Sequence, residues 1–242
     1  MQRLRVGGLG VLFLHEVHKV RGRAEAAFEA AFREGWMPTL GAGDEARLLW
    51  YANQAHGSGP AYTVVTVTAV RDGPAWERLA VRIQKGDLRR WVRELDELRH
   101  DVEAKLLVPL GWSPLQDVDF NEVPVDGRER ELTLYMEDTV WPYEDKFGEY
   151  IDRCGEVYSK SLDRPNPLLT IEAAFQPALG SHLRREVTLM QRIHDSGALL
   201  KLLQTEIPPE YRRPGTWMHD ALELRDDWTS RLLRTSSWSP LH

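Results

Sequence analysis

Two histidines and a glutamate near the start of the chain are the strongest candidates for acid–base chemistry. His15, Glu16 and His18 lie in a segment, Gly10 to Val20, whose partial period-2 patterning predicts a β-strand. Alternate residues of a strand face opposite sides of a sheet, so His15 lies on one face and Glu16 and His18 lie on the other. An imidazole among apolar residues needs a hydrogen-bond partner or a ligand, because leaving it unpaired costs about 1–3 kcal/mol. His15 is therefore the leading candidate for a general acid or base.

Each of these groups also has a structural interpretation. His15 could be a core histidine that a backbone carbonyl or a neighbouring side chain satisfies. Glu16 and His18 could form a pair in which the carboxylate sets the imidazole tautomer, or they could lie at a solvated strand end. Metal binding is not expected, because His15 and His18 point to opposite faces and no third ligand has suitable spacing.

The next strands supply further candidates. Tyr51 is a fourth candidate catalytic residue, and the candidate substrate-binding residues are Trp50, Asn53, Thr66 and Arg192. Large aromatic side chains at these positions could equally be core packing. Arg192, on a predicted strand of the second half, could clamp a carboxylate or an enolate, or it could pair with a surface acid.

The elements that must position these residues occur twice. The segment 106–115 is similar to the segment 232–241, at an offset of 126 residues, and both end in Trp-Ser-Pro-Leu. Earlier offsets are 123, which matches Val64 with Val187, and 119, which matches Phe28 with Phe147. Offsets that grow in small steps are typical of a duplication with short loop insertions. The sequence predicts one unit over 1–115, a linker over 116–130 and a second unit over 131–242.

Both units have the same predicted order of elements, β-α-β-β-α-β, which is the ferredoxin-like arrangement. In the first unit the helices are expected over Arg23–Glu34, from Ala75, and over Leu88–Lys105, with a short closing strand after the last. A sheet with helices on one face must cover the other, and stacking two sheets does this. The predicted fold class is α+β, with two tandem ferredoxin-like units forming a pseudo-twofold α/β barrel within one chain.

The two halves differ where chemistry is expected. At offset 119 His15 matches Leu134, and at offset 123 Tyr51 matches Ala174. Polar groups in one copy and apolar groups in the other predict an asymmetric site in the first unit. By contrast, Trp91 and Trp217 match each other, which indicates a structural role.

The closing motif resembles a known family. The segment Val108-Pro109-Leu110-Gly111-Trp112-Ser113-Pro114-Leu115-Gln116 is similar to the C-terminal signature of NIPSNAP-type proteins, and the second copy keeps its last part, Trp238 to Leu241. The resemblance implies the dimeric α/β-barrel superfamily, which includes cofactor-free monooxygenases, haem-handling enzymes, cyclases, dehydratases and proteins without a known reaction. It also implies a pocket between the sheet and the helices, and we expect His15 to lie on that face of the sheet. The family supplies no catalytic motif to carry over, and a fold alone does not give a function.

Composition limits the partners. A net charge of −6 without runs of like charge argues against a nucleic-acid or anionic-membrane partner. No apolar stretch reaches the ~20 residues of a membrane span. The single cysteine, Cys154, excludes an intramolecular disulfide and favours a reducing cytoplasm. Arginine outnumbers lysine 25 to 6, which is typical of a GC-rich bacterial genome. Homo-oligomerisation stays open.

Together these observations predict a small-molecule enzyme with no metal or nucleotide cofactor, which performs acid–base chemistry on a largely apolar substrate in a sheet–helix pocket of the first unit. An isomerase, cyclase, dehydratase or cofactor-free oxygenase would fit equally. One alternative, implied by the resemblance, is a haem-binding protein with His194 or His15 as the ligand. The other is a non-catalytic binding or interaction protein.

Overall fold

The computed structural model of the protein describes residues 10–178 and 184–242. Contacts within the chain divide these residues into two compact units. Unit 1 contains residues 10–108, 116–132 and 234–242, and unit 2 contains residues 109–115, 133–178 and 184–233. The division follows the predicted repeat except at three segments, 109–115, 116–132 and 234–242.

Unit 1 is an antiparallel sheet with helices packed on one face. Its strands are β1 (Leu12–Val20), β2 (Ala46–Gln54), β3 (Thr63–Val70) and β4 (Arg99–Pro109), which pair in the order β4-β1-β3-β2. Its helices are α1 (Glu25–Ala30), a π-helical segment (Ala31–Trp36), α2 (Met37–Gly41), α3 (Gly73–Lys85) and α4 (Arg89–Leu98). The helix layer buries Phe28, Phe32 and Leu79 against the sheet.

Unit 2 repeats this arrangement. Its strands are β5 (Leu134–Pro142), β6 (Leu169–Pro177), β7 (Val187–Ile193) and β8 (Arg225–Thr235), in the order β8-β5-β7-β6. Its helices are α5 (Phe147–Arg153), a π-helical segment (Cys154–Ser159), α6 (Lys160–Leu162), α7 (Ser196–Gln204) and α8 (Trp217–Asp220). Short 3-10 turns lie at Glu144–Lys146, Pro209–Tyr211 and Ala221–Glu223.

Irregular features recur at matching places in the two units. The π-helical segments begin at Ala31 and Cys154, which are 123 residues apart. At the same offset, Asp72 and Asp195 cap α3 and α7 by accepting hydrogen bonds from backbone N–H groups three residues later. Both β2 and β6 contain a bulge at the corresponding position. The α+β class and the β-α-β-β-α-β order predicted from the sequence are thus confirmed.

The two Trp-Ser-Pro-Leu motifs do not pack in the unit of their own repeat. In unit 1, Ser239 Oγ accepts a hydrogen bond from the backbone N–H of Tyr51 at 3.1 Å. In unit 2, Ser113 Oγ accepts one from the N–H of Ala174 at 2.9 Å. Tyr51 and Ala174 are equivalent residues of β2 and β6, so each motif satisfies the same strand N–H in the opposite repeat. The linear boundaries expected from the sequence are corrected here, because the repeats exchange their closing segments.

The segment expected to be a linker is part of unit 1. The Phe120 ring is buried, and the guanidinium carbon of Arg71 lies 4.3 Å from its centroid. Arg33 donates two hydrogen bonds to the carbonyl of Gly127, at 2.9 and 2.6 Å. These contacts tie residues 116–132 to the first unit, although the polar sequence there gave no sign of them.

Two predicted helix boundaries are wrong. The helix expected over Leu88–Lys105 ends at Leu98, because the following residues pair with β1 as strand β4. The helix expected to stop at Glu34 continues through the π-helical segment to Gly41. Pro38 does not end it: the residues before it, Trp36 and Met37, keep helical dihedral angles, and the Met37 N–H donates to the carbonyl of Phe32 five residues earlier, so the proline lies where the wider π-helical segment meets α2. Within the described ranges, no helix has the length and hydropathy needed to cross a bilayer.

Candidate functional site

Strand register brings three of the candidate residues together on one face of unit 1. Glu16 of β1 and Tyr51 of β2 both lie directly opposite Thr66 of β3. Residues opposite each other in an antiparallel pair share a face, and adjacent strands lie about 4.8 Å apart. His18, two residues after Glu16, is on the same face. Glu16, Thr66 and Tyr51 therefore form a row about 10 Å long across three strands.

This row faces the helices. The His18 ring lies 5.3 Å from the Phe28 ring and 5.5 Å from the Phe32 ring, measured between centroids, and both phenylalanines belong to the helix layer. His15 is opposite Val67 and so lies on the other face of the sheet. The expectation that His15 faces the sheet–helix space is wrong, because the strand presents Glu16 and His18 there instead.

A chain of polar contacts runs through these residues. Arg99, the first residue of β4, places Nη1 2.8 Å from His18 Nδ1. His18 Nε2 lies 3.1 Å from Thr66 Oγ1, and Thr66 Oγ1 donates to Glu16 Oε2 at 3.5 Å. Glu16 and His18 thus do form a connected group, but they connect through Thr66 and not by direct contact. Arg99 is a member that the sequence reasoning missed, although its recurrence as Arg225, at the same offset as the closing motif, was a usable signal.

Glu16 is held in an unusual setting for a carboxylate. It lies in the middle of a central strand, yet it is only partly buried, as are Leu12 and Leu14 on the same face. Desolvation raises the pKa of Glu16, and the nearby Arg99 charge and the Thr66 hydrogen bond only partly offset that rise. A carboxyl that has a raised pKa and stays partly exposed is suited to taking or giving a proton.

Tyr51 borders the cluster on the β2 side. Its ring packs 5.3 Å from Phe32 and 4.7 Å from Trp238, and its side chain is fully buried. Its hydroxyl has no hydrogen-bond partner among the described residues. Burial raises the pKa of Tyr51 well above its usual range, so the group remains an O–H donor at neutral pH.

The remaining candidates lie elsewhere. Asn53 Nδ2 donates to Ser236 Oγ at 3.1 Å, which anchors the closing segment. Trp50 is opposite Val67 and thus shares the face of His15. Arg192 is in unit 2, 3.7 Å from the carboxylate of Glu172, which matches the alternative that it pairs with an acid.

Unit 2 carries an acid at the position equivalent to Glu16. Thr66 matches Leu189 at offset 123, and Leu189 is opposite Asp138. The true offset in the first strands is therefore 122, which pairs Glu16 with Asp138 and His15 with Glu137. The earlier match of His15 with Leu134 at offset 119 is wrong, because unrelated residues of the strand gave a chance agreement.

Asp138 is surrounded by donors that Glu16 lacks. Gln191 Nε2 donates to Asp138 Oδ2 at 2.8 Å, and Ser230 Oγ donates to Oδ1. Tyr158 in turn donates to Gln191 Oε1 at 2.5 Å. Ser230 corresponds to Ala104 in unit 1, so the donor is replaced there by a methyl group.

The residues present do not fit a haem at this site. Both ring nitrogens of His18 are engaged, by Arg99 and Thr66, and its ring is covered by two phenylalanines. His194 is exposed and its Nε2 lies 2.9 Å from Thr170 Oγ1, while His15 faces away from the helices. No group of three or more metal-binding side chains is found in the described part of the chain.

Comparison with known proteins shows the fold. No protein-family model and no curated protein matches the sequence. A candidate monooxygenase from Fusobacterium nucleatum is similar in structure, with a TM-score of 0.61 and 8% identity, over 94% of this chain and 93% of that one. A candidate monooxygenase from Lactobacillus acidophilus gives 0.59 and 8%, over 95% and 97%. At these identities the likeness shows a shared fold and not a shared reaction, and it supports the predicted fold class.

The family suggested by the closing motif is not settled by these comparisons. A NIPSNAP family protein from Agrobacterium tumefaciens has a TM-score of 0.37 and 18% identity, and it covers 44% of this chain and 99% of its own. A TM-score this low carries no argument. Four properties stay predictions: membership of the NIPSNAP-type family, cytoplasmic location, bacterial origin and homo-oligomerisation.

Proposed function

We propose that unit 1 is a cofactor-independent acid–base enzyme for a small, largely apolar molecule, with Glu16 as the group that takes and returns the proton. The observation that carries this proposal is the contrast between Glu16 and Asp138. Within the described ranges, Glu16 accepts a long hydrogen bond from Thr66 at 3.5 Å, whereas its counterpart accepts from both Gln191 and Ser230. A structural carboxylate is expected to be fully hydrogen-bonded, as Asp138 is.

The walls of the site define what it accepts. Leu14 lies beside Glu16 on the same face, with Leu12 one step farther along the strand, and Phe28 and Phe32 cover the sheet from the helix side. These apolar side chains favour a hydrocarbon or aromatic body. The buried Tyr51 O–H would donate to an oxygen of the substrate, because leaving such a donor unpaired costs about 1–3 kcal/mol. The substrate class is therefore a compact apolar molecule that carries a carbonyl or hydroxyl oxygen and an acidic C–H bond.

The other residues then have separate roles. Glu16 is the catalytic acid–base group and Tyr51 binds the substrate oxygen. His18 and Thr66 position Glu16. His15 and Trp50 take no part, because they are on the opposite face, and Asn53 holds the closing segment.

The experiment is a proton-exchange assay that needs no knowledge of the full reaction. A panel of small ketones, phenols and hydroxy-ketones is first screened by thermal shift for stabilisation of the whole chain. Each compound that stabilises it is incubated with the protein in D₂O, and loss of its C–H signal is followed by proton NMR. We expect Glu16→Gln to lower the catalysed exchange rate by at least about 100-fold, the usual contribution of a positioned general base.

Asp138→Asn is the matched control, since it makes the same chemical change at the equivalent position of unit 2. It should retain exchange. If Glu16→Gln binds and exchanges like the wild type, the proposal is wrong. If compounds bind to the wild type at the cluster but none exchanges, the protein is a binding protein, as the non-catalytic alternative holds.

A further inference from the structure

The polar chain that ends on Glu16 has a fixed direction. Every N–H of a guanidinium is a donor and none of its atoms accepts, so Arg99 Nη1 donates to His18 Nδ1 across 2.8 Å. Nδ1 must therefore carry no proton. A neutral imidazole then holds its one hydrogen on Nε2. Arg99 thus selects the tautomer of His18, a role the sequence gave to Glu16.

The tautomer of His18 sets the direction of the next two hydrogen bonds. His18 Nε2–H donates to Thr66 Oγ1 at 3.1 Å, so the hydroxyl hydrogen of Thr66 is left to point to Glu16 Oε2 at 3.5 Å. Protonation of both nitrogens would break this order. Burial, the Arg99 charge and the nearby His15 lower the pKa of His18 to about 3, so the imidazole stays neutral at physiological pH.

This direction means that the chain orients Glu16 but does not conduct its proton. A proton passed from Glu16 to Thr66 would have to leave through His18 Nε2, which already carries a hydrogen. The other nitrogen, Nδ1, faces a permanent cation. Glu16 can therefore exchange protons only on its partly exposed side, where a substrate would lie.

We propose that Arg99 is the positioning residue of this site, which locks His18 as the Nε2–H tautomer and so directs the Thr66 hydroxyl to one oxygen of Glu16. The importance of this lock for catalysis rests on the proposed function, but the lock itself does not. It leaves the second carboxyl oxygen of Glu16 available to the substrate.

The groups around His18 identify Arg99 as the donor that fixes its tautomer. From β4 it faces Arg99, from β3 Thr66, and from the helix layer the uncharged rings of Phe28 and Phe32. His15, Glu16 and Lys19 are its titratable neighbours on its own strand, and Glu16 shares its face whereas Lys19 points to the other. Arg99 is held in place by Asp96 Oδ1, which accepts from its Nη2 at 2.5 Å and from its Nε at 3.0 Å.

Unit 2 shows that the chain is not a general requirement of the fold. Arg225 occupies the position of Arg99, but Val140 stands where unit 1 has His18. Asp138 receives its donors from Gln191 and Ser230 instead. The histidine link is therefore specific to the unit in which the acid is accessible.

The test reads the tautomer directly. The full chain is labelled with ¹⁵N-histidine, long-range proton–nitrogen spectra are recorded near neutral pH, and His18→Phe identifies the His18 signals. We expect the wild type to show a protonated Nε2 and an unprotonated Nδ1. Arg99→Met keeps an apolar stem in place of the arginine methylenes but removes the donors, and should give a mixture of tautomers and a His18 pKa closer to its ordinary ~6.5. Arg99→Lys should restore the wild-type pattern.

Arg93→Met is the matched control, because Arg93 is an exposed arginine of the adjacent helix. It should leave the spectrum unchanged. The inference is overturned by an Nδ1–H tautomer in the wild type or by an unaltered His18 signal in Arg99→Met. If Arg99→Met does not fold, the wild-type spectrum alone tests the inference. Failure of the proposed function is distinct: the tautomer would respond as expected while Glu16→Gln kept full proton exchange.

Discussion

Replacing the two equivalent acids by leucine should change stability in opposite directions. In Glu16→Leu, a partly buried carboxylate gives way to a side chain that matches its neighbours Leu12 and Leu14. Thr66 does not lose its only partner, since it still accepts from His18 Nε2. In Asp138→Leu, the buried Gln191 Nε2 loses its acceptor.

The sizes of the two changes in the free energy of unfolding follow from the surroundings of the two acids. An acid whose pKa is higher in the folded than in the unfolded chain destabilises the fold by about 1.4 kcal/mol per unit of difference, once the pH exceeds the folded pKa. Glu16→Leu should remove this penalty. Its gain should therefore be present at neutral pH and vanish below about pH 4, where the carboxyl is protonated in both states. Burial raises the pKa of Asp138 as well, so Asp138→Leu also removes such a penalty. It leaves the buried Gln191 amide without its acceptor, however, which should cost about 1–3 kcal/mol, and it removes the bond from Ser230, so the free energy of unfolding should fall.

Urea unfolding followed by tryptophan fluorescence measures both effects, because the chain contains nine tryptophans. The wild type and the two variants are compared near neutral pH and near pH 4. The reasoning is refuted if Glu16→Leu is destabilised as much as Asp138→Leu, or if its difference from the wild type does not depend on pH. Either result would mean that Glu16 is a structural carboxylate like its counterpart.

Three further outcomes are expected. His15→Leu should retain the proton-exchange activity, since His15 faces away from the cluster, and loss of that activity in a folded variant would return His15 to the site. Trp238→Ala should lower the free energy of unfolding by about 3–5 kcal/mol, because the ring is 1% exposed and packs on Tyr51, and urea melts would show it. Titration with haem should give no saturable Soret shift at one haem per chain, and a stoichiometric shift would contradict the assignment of both His18 nitrogens to hydrogen bonds.

Local contacts explain which boundaries could be read from the sequence. Asp72 followed by Gly-Pro-Ala marks the start of α3 because capping depends on residues three apart. The end of α4 could not be read in this way. The segment 99–105 is rich in charged residues and has no strong turn signal, and only pairing with β1 makes it a strand.

The sequence by itself determined the duplication, the α+β class and the presence of acid–base groups on the first strand, because repeats and period-2 patterns are properties of the chain alone. Tertiary structure decided which face of that strand meets the helices, and so placed Glu16, and not His15, at the centre of the proposed site. It also decided that Arg99 reaches His18, that Asp138 is the true counterpart of Glu16, and that each closing motif packs on the strand of the other repeat. Those facts depend on strand register and on contacts between residues far apart in the chain, which no local pattern encodes.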